Sequence, residues 1–240
     1  ASIINAIEHS GIALGCNVKI KWIETSSITA ESGADSFLEG VDGIIVPGGF
    51  GTRGTEGKIA CIKYARENGL PYLGLCFGFQ MAVIEFARHV CGLKGANSTE
   101  LEPDCGEPVI DLLPQQKQLK ELGASMRLGG RDIKLEPKTL AWELFGRARK
   151  VRMRFRHRYE VNPDYIEVLQ DCGLVFSGRA PGEPVMQILE IASHPFFMGT
   201  QAHPCMTSRP LRPQPMFTGL IAAAIQRHYP DEKLPDCVKA

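Results

Sequence analysis

The chain opens on apolar residues at helical spacing: Ile3, Ile4, Ile7, Ile12 and Leu14 predict a helix over residues 2–15. Over residues 17–23 the period shortens to two, with Val18, Ile20 and Trp22 alternating against polar partners, which predicts a strand. Residues 24–40 are polar and loop-like, with one helical turn around 36–38. Gly43-Ile44-Ile45-Val46 reads as a short buried strand, and residues 56–68 as a helix that stops at Gly69. A second buried strand over 71–75 leads through a sharp turn into an amphipathic helix over 81–88. Residues 103–121 are loop-rich, and 126–135 reads as a strand with a turn at Gly129-Gly130. A short helix over 139–145 and a strongly basic strand over 152–161 follow. Asn162-Pro163 opens a helix to Cys172, and residues 174–177, 185–191 and 196–201 read as strands. An amphipathic helix over 215–229 ends the pattern.

Strands alternating with helices at this spacing predict an α/β fold: a mainly parallel sheet with helices on both faces and added antiparallel strands. One domain over residues 1–240 is expected, because no repeat, low-complexity run or long linker divides the chain. The 27 basic and 27 acidic residues cancel, so no global field points to nucleic acid or a membrane surface. No apolar run reaches the ~18 residues of a membrane span, and no signal peptide opens the sequence. Eight scattered cysteines without a C-x-x-C pair read as reduced thiols in a cytoplasmic protein.

Cys76 sits on the strand-to-helix turn of Gly74-Leu75-Cys76-Phe77-Gly78-Phe79-Gln80. A cysteine between apolar neighbours is by itself most often inert packing. Here the turn exposes the sulfur at a helix N-terminus, where backbone N–H groups and the helix dipole favour a thiolate nucleophile. It is the cysteine counterpart of the nucleophile elbow. Gly48, Gly49, Gly51 and Gly54 fall within seven residues after a strand, more than a tight turn requires. Placed beside the elbow, an N–H of that loop and the N–H of Phe77 form an oxyanion hole. His203 ends a late strand far downstream of the cysteine, where a general base is expected; His9, His89 and His228 lie on helices, and His194 precedes Pro195 in a turn.

The elbow Gly74-x-Cys76-x-Gly78-x-Gln80 with Gln201-x-His203-Pro204 resembles the class I (triad) glutamine amidotransferases, and among them the glutaminase domain of CTP synthases. Further family words occur in order: Pro47-Gly48-Gly49-Phe50-Gly51-x-Arg53-Gly54-x-Glu56-Gly57, Ala96-Asn97-Ser98-Thr99-Glu100, Ser125-Met126-Arg127-Leu128-Gly129, Arg156-His157-Arg158-Tyr159-Glu160-Val161-Asn162 and Ser208-Arg209-Pro210. The resemblance implies attack by Cys76 on the side-chain amide of L-glutamine, with His203 moving the proton and the N–H groups of Gly48 and Phe77 holding the oxyanion. It implies glutamine binding by Gly49, Phe77, Gly78, Phe79, Gln80, Glu100 and Arg158. A carboxylate suits the substrate ammonium and a guanidinium its carboxylate. Arg152, Arg154 and Arg156 otherwise read as a solvated strand face, with Arg156 a support for Arg158. Phe50, Arg53 and Arg127 match the region where the family senses GTP, an allosteric effector. No cofactor or metal is expected in this domain; ATP and Mg2+ belong to the amidoligase domain that uses the ammonia, and full-length members are homo-oligomers.

The sequence departs from the family at two places. Cys205 stands where the family has the glutamate that orients the histidine, and a neutral thiol does that poorly. Three readings follow: a working enzyme with Cys205 or another acid behind His203; an impaired domain kept for ligand binding or regulation; or a Cys76–His203–Cys205 cluster that binds metal or oxidises. The family's amidoligase domain and the first strand of its glutaminase domain are also missing from this sequence. The expectation is therefore a sheet short of one strand, in a chain that makes no CTP alone.

Overall fold

The computed structural model describes residues 1–29, 32–113 and 126–234. In chain order the elements begin with helix α1 (Ser2–Ala13), the short α2 (Asp35–Leu38), strand β1 (Ile44–Val46) and helix α3 (Thr55–Glu67). Strand β2 (Tyr72–Leu75), helix α4 (Phe77–His89), and strands β3 (Ala96–Ser98), β4 (Glu107–Asp111) and β5 (Arg127–Leu135) follow. Next come α5 (Leu140–Leu144), β6 (Lys150–His157), β7 (Glu160–Val161) and α6 (Ile166–Asp171). The last are β8 (Val175–Arg179), β9 (Met186–Glu190), β10 (Phe197–Thr200) and α7 (Pro215–His228).

A seven-stranded sheet runs β1-β2-β10-β9-β8-β5-β6. β1, β2 and β10 are parallel, and β9, β8, β5 and β6 extend the sheet by antiparallel pairing. The architecture is thus α/β, parallel where the chain turns into α4 and antiparallel through the long extension. Side chains on β2 alternate between two cores, as a pleated strand requires. Tyr72 packs on one face with α3 and α4, while Leu73 and Leu75 pack on the other with α1 and α7. Buried Ser10 of α1 meets Thr218 of α7 at 3.3 Å. On the other face, fully buried Glu85 of α4 takes three hydrogen bonds of 2.8–3.1 Å from Arg66 of α3. A charge at that depth persists only because it is so paired.

A small second sheet, β3-β4-β7, packs beside α4. The sequence pattern did not predict β3 or β4. Both are short, β4 contains Pro108, and their pairing is set by distant chain rather than by local period. Three readings of the pattern are corrected. Residues 17–23 join no ladder among the described residues, and Ile20 and Trp22 are 39% and 77% exposed. Gly129-Gly130 makes no turn: β5 pairs with β6 without a break from Arg127 to Lys134. The basic strand of residues 152–161 breaks after His157, and Glu160-Val161 joins the small sheet. Of the loop expected at 103–121, residues 114–121 lie outside the described residues.

Candidate active site

Cys76 is the pivot between β2 and α4. Its backbone has φ +52° and ψ −99°, a conformation L-residues rarely adopt, and its N–H is tied to the Thr200 carbonyl of β10 at 2.7 Å. Strain of this kind costs on the order of 1–3 kcal/mol and persists because the surroundings fix it. Two close approaches do the fixing. Tyr72 donates its hydroxyl proton to the Gly78 carbonyl at 2.8 Å, and the Gly78 Cα lies against β1, so near that a Cβ there would stand 2.1 Å from the Val46 carbonyl oxygen. The role of Gly78 is this close packing.

His203 follows β10 and a buried bend. Its backbone N–H donates to the Arg154 carbonyl of β6 at 2.8 Å. The Arg156 carbonyl, one repeat further along β6, accepts from the His203 ring and also faces the Cys76 thiol at 3.8 Å. One backbone oxygen therefore touches both groups. Gly48 closes the third side: a Cβ there would stand 3.0 Å from His203 Cε1 and 3.6 Å from Cys76 Cβ. Cys76 and His203, remote in sequence, thus flank the same Gly48 position and line the same cavity. His203 Nε2 is buried and has no hydrogen-bond partner among the described residues, which leaves it free to take a proton.

These groups line a cavity of about 500 Å³. Gly48, Gly49 and Phe50 form one wall, and Cys76, Gln80 and His203 the floor. Glu100, beyond β3, and Arg158 and Tyr159, before β7, close it from the small sheet, with Met126, Arg156 and His157 beside them. Glu100 accepts a hydrogen bond from the Gly51 N–H and feels the charge of Arg158. Burial nonetheless holds its carboxyl above the usual range.

The electrostatics correct the sequence expectation of a ready thiolate. Burial pushes the Cys76 thiol up to about 11, and the Glu100 and Glu160 charges push the same way. The Phe77 N–H and the Gln201 amide, whose Nε2 donates to Sγ at 3.6 Å, pull back only in part. Burial also lowers His203 below its ordinary 6.5, helped by His157 and Arg156 and opposed by the bond to the Arg156 carbonyl. At neutral pH the resting pair is thiol and neutral imidazole: a nucleophile that still carries its proton, beside a base that can remove it.

Several expected residues lie elsewhere. Phe79 is fully buried in the core beneath α4, and Phe77 is buried with Lys58 above its ring, so neither side chain lines the cavity. Gln80 lines it, but its amide already donates to the Tyr159 carbonyl at 3.0 Å and to Gln201 Oε1 at 3.2 Å. The three residues matched to the effector region have different surroundings. Phe50 stands at the rim, Arg53 turns outward toward Glu24 at 3.8 Å, and Arg127 is held by Glu160 and Glu183 at 2.9 and 3.0 Å. Cys205 points into the apolar core beside α7 and accepts from the Ser2 hydroxyl at 3.5 Å. It does not line the cavity that Cys76 and His203 line, so the three groups of the expected cluster are not gathered there. What the sequence reading missed is the Arg156 carbonyl and Gln201. The latter precedes His203 by two positions, and that spacing was its one available signal.

The profile of the glutamine amidotransferase class-I family matches residues 1–223. The chain is 55% identical over 229 residues to a CTP synthase of Thermococcus gammatolerans, covering 95% of this chain and 42% of that protein. It is 48% identical over 223 residues to a CTP synthase of Staphylococcus carnosus, covering 93% and 41%. It therefore spans about two-fifths of the length of these relatives. Among solved structures it superposes on the glutaminase domain of Trypanosoma brucei CTPS with bound acivicin. That match has a TM-score of 0.88 and 34% identity, over 98% of this chain and 89% of that one.

Proposed function

The chain belongs to the class-I glutamine amidotransferase family, and on that footing we propose that it hydrolyses L-glutamine and supplies the ammonia to an amidoligase domain that converts UTP to CTP. The observation that carries this reading is the meeting of Cys76 and His203 across Gly48, over a cavity walled by Glu100 and Arg158.

Glutamine enters with its ammonium toward Glu100 and its carboxylate toward Arg158, which aims the side-chain amide at Cys76. Cys76 Sγ attacks the amide carbon while Nε2 of His203 takes the thiol proton. The new oxyanion is held by the N–H groups of Gly48 and Phe77. The C–N bond then breaks, His203 returns the proton to nitrogen, and ammonia leaves. Water, deprotonated by the same imidazole, cleaves the thioester to glutamate and restores the thiol. No cofactor takes part in these steps; ATP and Mg2+ serve the amidoligase. The same reading places an effector site for GTP near Phe50 and the enzyme in the cytoplasm as a homo-oligomer. No helix among the described residues is long and apolar enough to cross a membrane.

Two measurements probe the assignment. Glu100→Gln should raise KM for glutamine about 10- to 100-fold with kcat little changed, since a charge-assisted contact made equally before and during reaction is lost. A fall in kcat at unchanged KM would remove Glu100 from substrate binding. In the pH profile of kcat/KM the acid limb, set by His203, should lie below 6.5, because the base must be neutral and burial lowers it. Cys205→Glu places a carboxylate next to the His203 turn, which favours imidazolium. The limb should move up by about one unit, and kcat should rise. An unmoved limb would show that residue 205 does not act on the ring.

A further inference from the structure

Outside the catalytic cavity, two cysteines meet at the ends of two helices. Cys91 follows the last turn of α4, its N–H bound to the Phe86 carbonyl at 3.1 Å. Cys172 closes α6, its N–H bound to the Val168 carbonyl at 3.1 Å. The Cys91 thiol points at that same Val168 carbonyl, 3.9 Å away, so the Cys91 sulfur and the Cys172 backbone converge on one oxygen. Both side chains are half-buried and pack against the core on the α4 face of the sheet. Solvent therefore reaches two free cysteines gathered at one backbone carbonyl. Such a pair differs from the inert, singly buried Cys61, whose ionisation partner is Lys58 and not another thiol.

We propose that Cys91 and Cys172 are a disulfide-forming pair that closes when the protein meets a small-molecule disulfide oxidant. The chemistry balances with glutathione disulfide as the named oxidant. One cysteine thiolate displaces a glutathione thiolate and forms a mixed disulfide. The second then attacks the protein sulfur of that mixed disulfide and displaces the other glutathione. Two protein thiols and one glutathione disulfide become one protein disulfide and two glutathione thiols, which take up the two protons. Burial and the neighbouring Cys172 charge push Cys91 up to about 12. The charge part of that cost vanishes once Cys172 is capped, so the second step follows the first. The bond ties the far end of the helix that begins at Cys76 to α6. It closes a loop that contains both β3 and β7, which bring Glu100 and Arg158 to the cavity.

The test is a non-reducing tryptic map of this chain after incubation with glutathione disulfide and alkylation of remaining thiols. The expected product joins peptides 89–94 and 159–179, each with one cysteine, at two hydrogens below their summed mass. It should disappear with dithiothreitol and be absent from Cys91→Ser and Cys172→Ser. The unfolding midpoint of the oxidised parent should rise by roughly 5–10 °C, and that of the oxidised variants should not. The proposal is overturned if Cys91 and Cys172 are both alkylated in the oxidised parent. It is equally overturned if each carries glutathione separately or pairs with another cysteine. The parent map decides the matter alone should either variant fail to fold.

Discussion

Cys76→Ser loses glutaminase activity by about four orders of magnitude or more, while the folded state is kept. The loss is large because nothing else in the cavity can replace the sulfur. A serine hydroxyl ionises less readily than a thiol, and even the thiol is pushed up to about 11 in this buried turn. The charges that act on the base beside it, His203, are those of His157 and Arg156, and both oppose its protonation. A weak base and a poor nucleophile together leave little rate. Structure should survive, because the exchange removes little volume and leaves an acceptor for the Gln201 amide. Glutamate release measured in a coupled assay checks the rate. A glutamine-analogue electrophile checks the atom, since it should add mass to Cys76 in the parent and nothing to the variant. Undiminished glutamate release by the variant would end the nucleophile assignment.

That experiment addresses the part of the site most legible in the sequence. Cys76, Gly48 and His203 announce themselves because each sits at the end of a strand with a clean hydrophobic period, where α/β sheets place their chemistry. The strands and helices with such periods, β2, α3 and α7, match the pattern closely, whereas α4 begins at Phe77, four residues before its pattern does. What stayed hidden depends on contacts that leave no mark on side-chain type. The Arg156 carbonyl touches both reacting groups, but a backbone acceptor has no residue signature. Gly129-Gly130 looks like a turn, and glycine pairs usually are; here β6 supplies a partner along the whole length of β5. The missing Cβ at Gly130 instead makes room for the Arg152 guanidinium, which donates to the Gly130 carbonyl at 2.7 Å. Likewise the break after His157 looks seamless in the basic alternation, yet it swings Arg158 and Tyr159 off the long sheet and onto the cavity wall. The apolar placement of Cys205 was equally unreadable. A residue two positions beyond the base in sequence is buried among apolar core side chains.

Gly78→Ala separates local propensity from tertiary geometry, because the two predict opposite signs. Gly78 lies in the first turn of α4, where an alanine is worth up to about 1 kcal/mol more than glycine on helix propensity alone. Yet the added Cβ would stand 2.1 Å from the Val46 carbonyl oxygen and 2.9 Å from the carbon. Both are backbone atoms of β1 and cannot rotate away. The helix start must back off from the sheet, and that displacement strains the core by about 3 kcal/mol or more, so sterics outweigh propensity. The unfolding midpoint should fall by roughly 10 °C. Because Cys76 and the Phe77 N–H ride on the same turn, kcat should fall about 100-fold even in the molecules that remain folded. Gly49→Ala is the matched control for stability. Its Cβ would meet only Phe77 Cδ1 at 3.7 Å, an ordinary contact, and its midpoint should stay within about 2 °C of the parent. A Gly78→Ala protein as stable as the parent would show that the helix does not press on β1 as closely as the elbow requires. Only the Tyr72 hydroxyl and the Thr200 carbonyl would then be left to aim the sulfur.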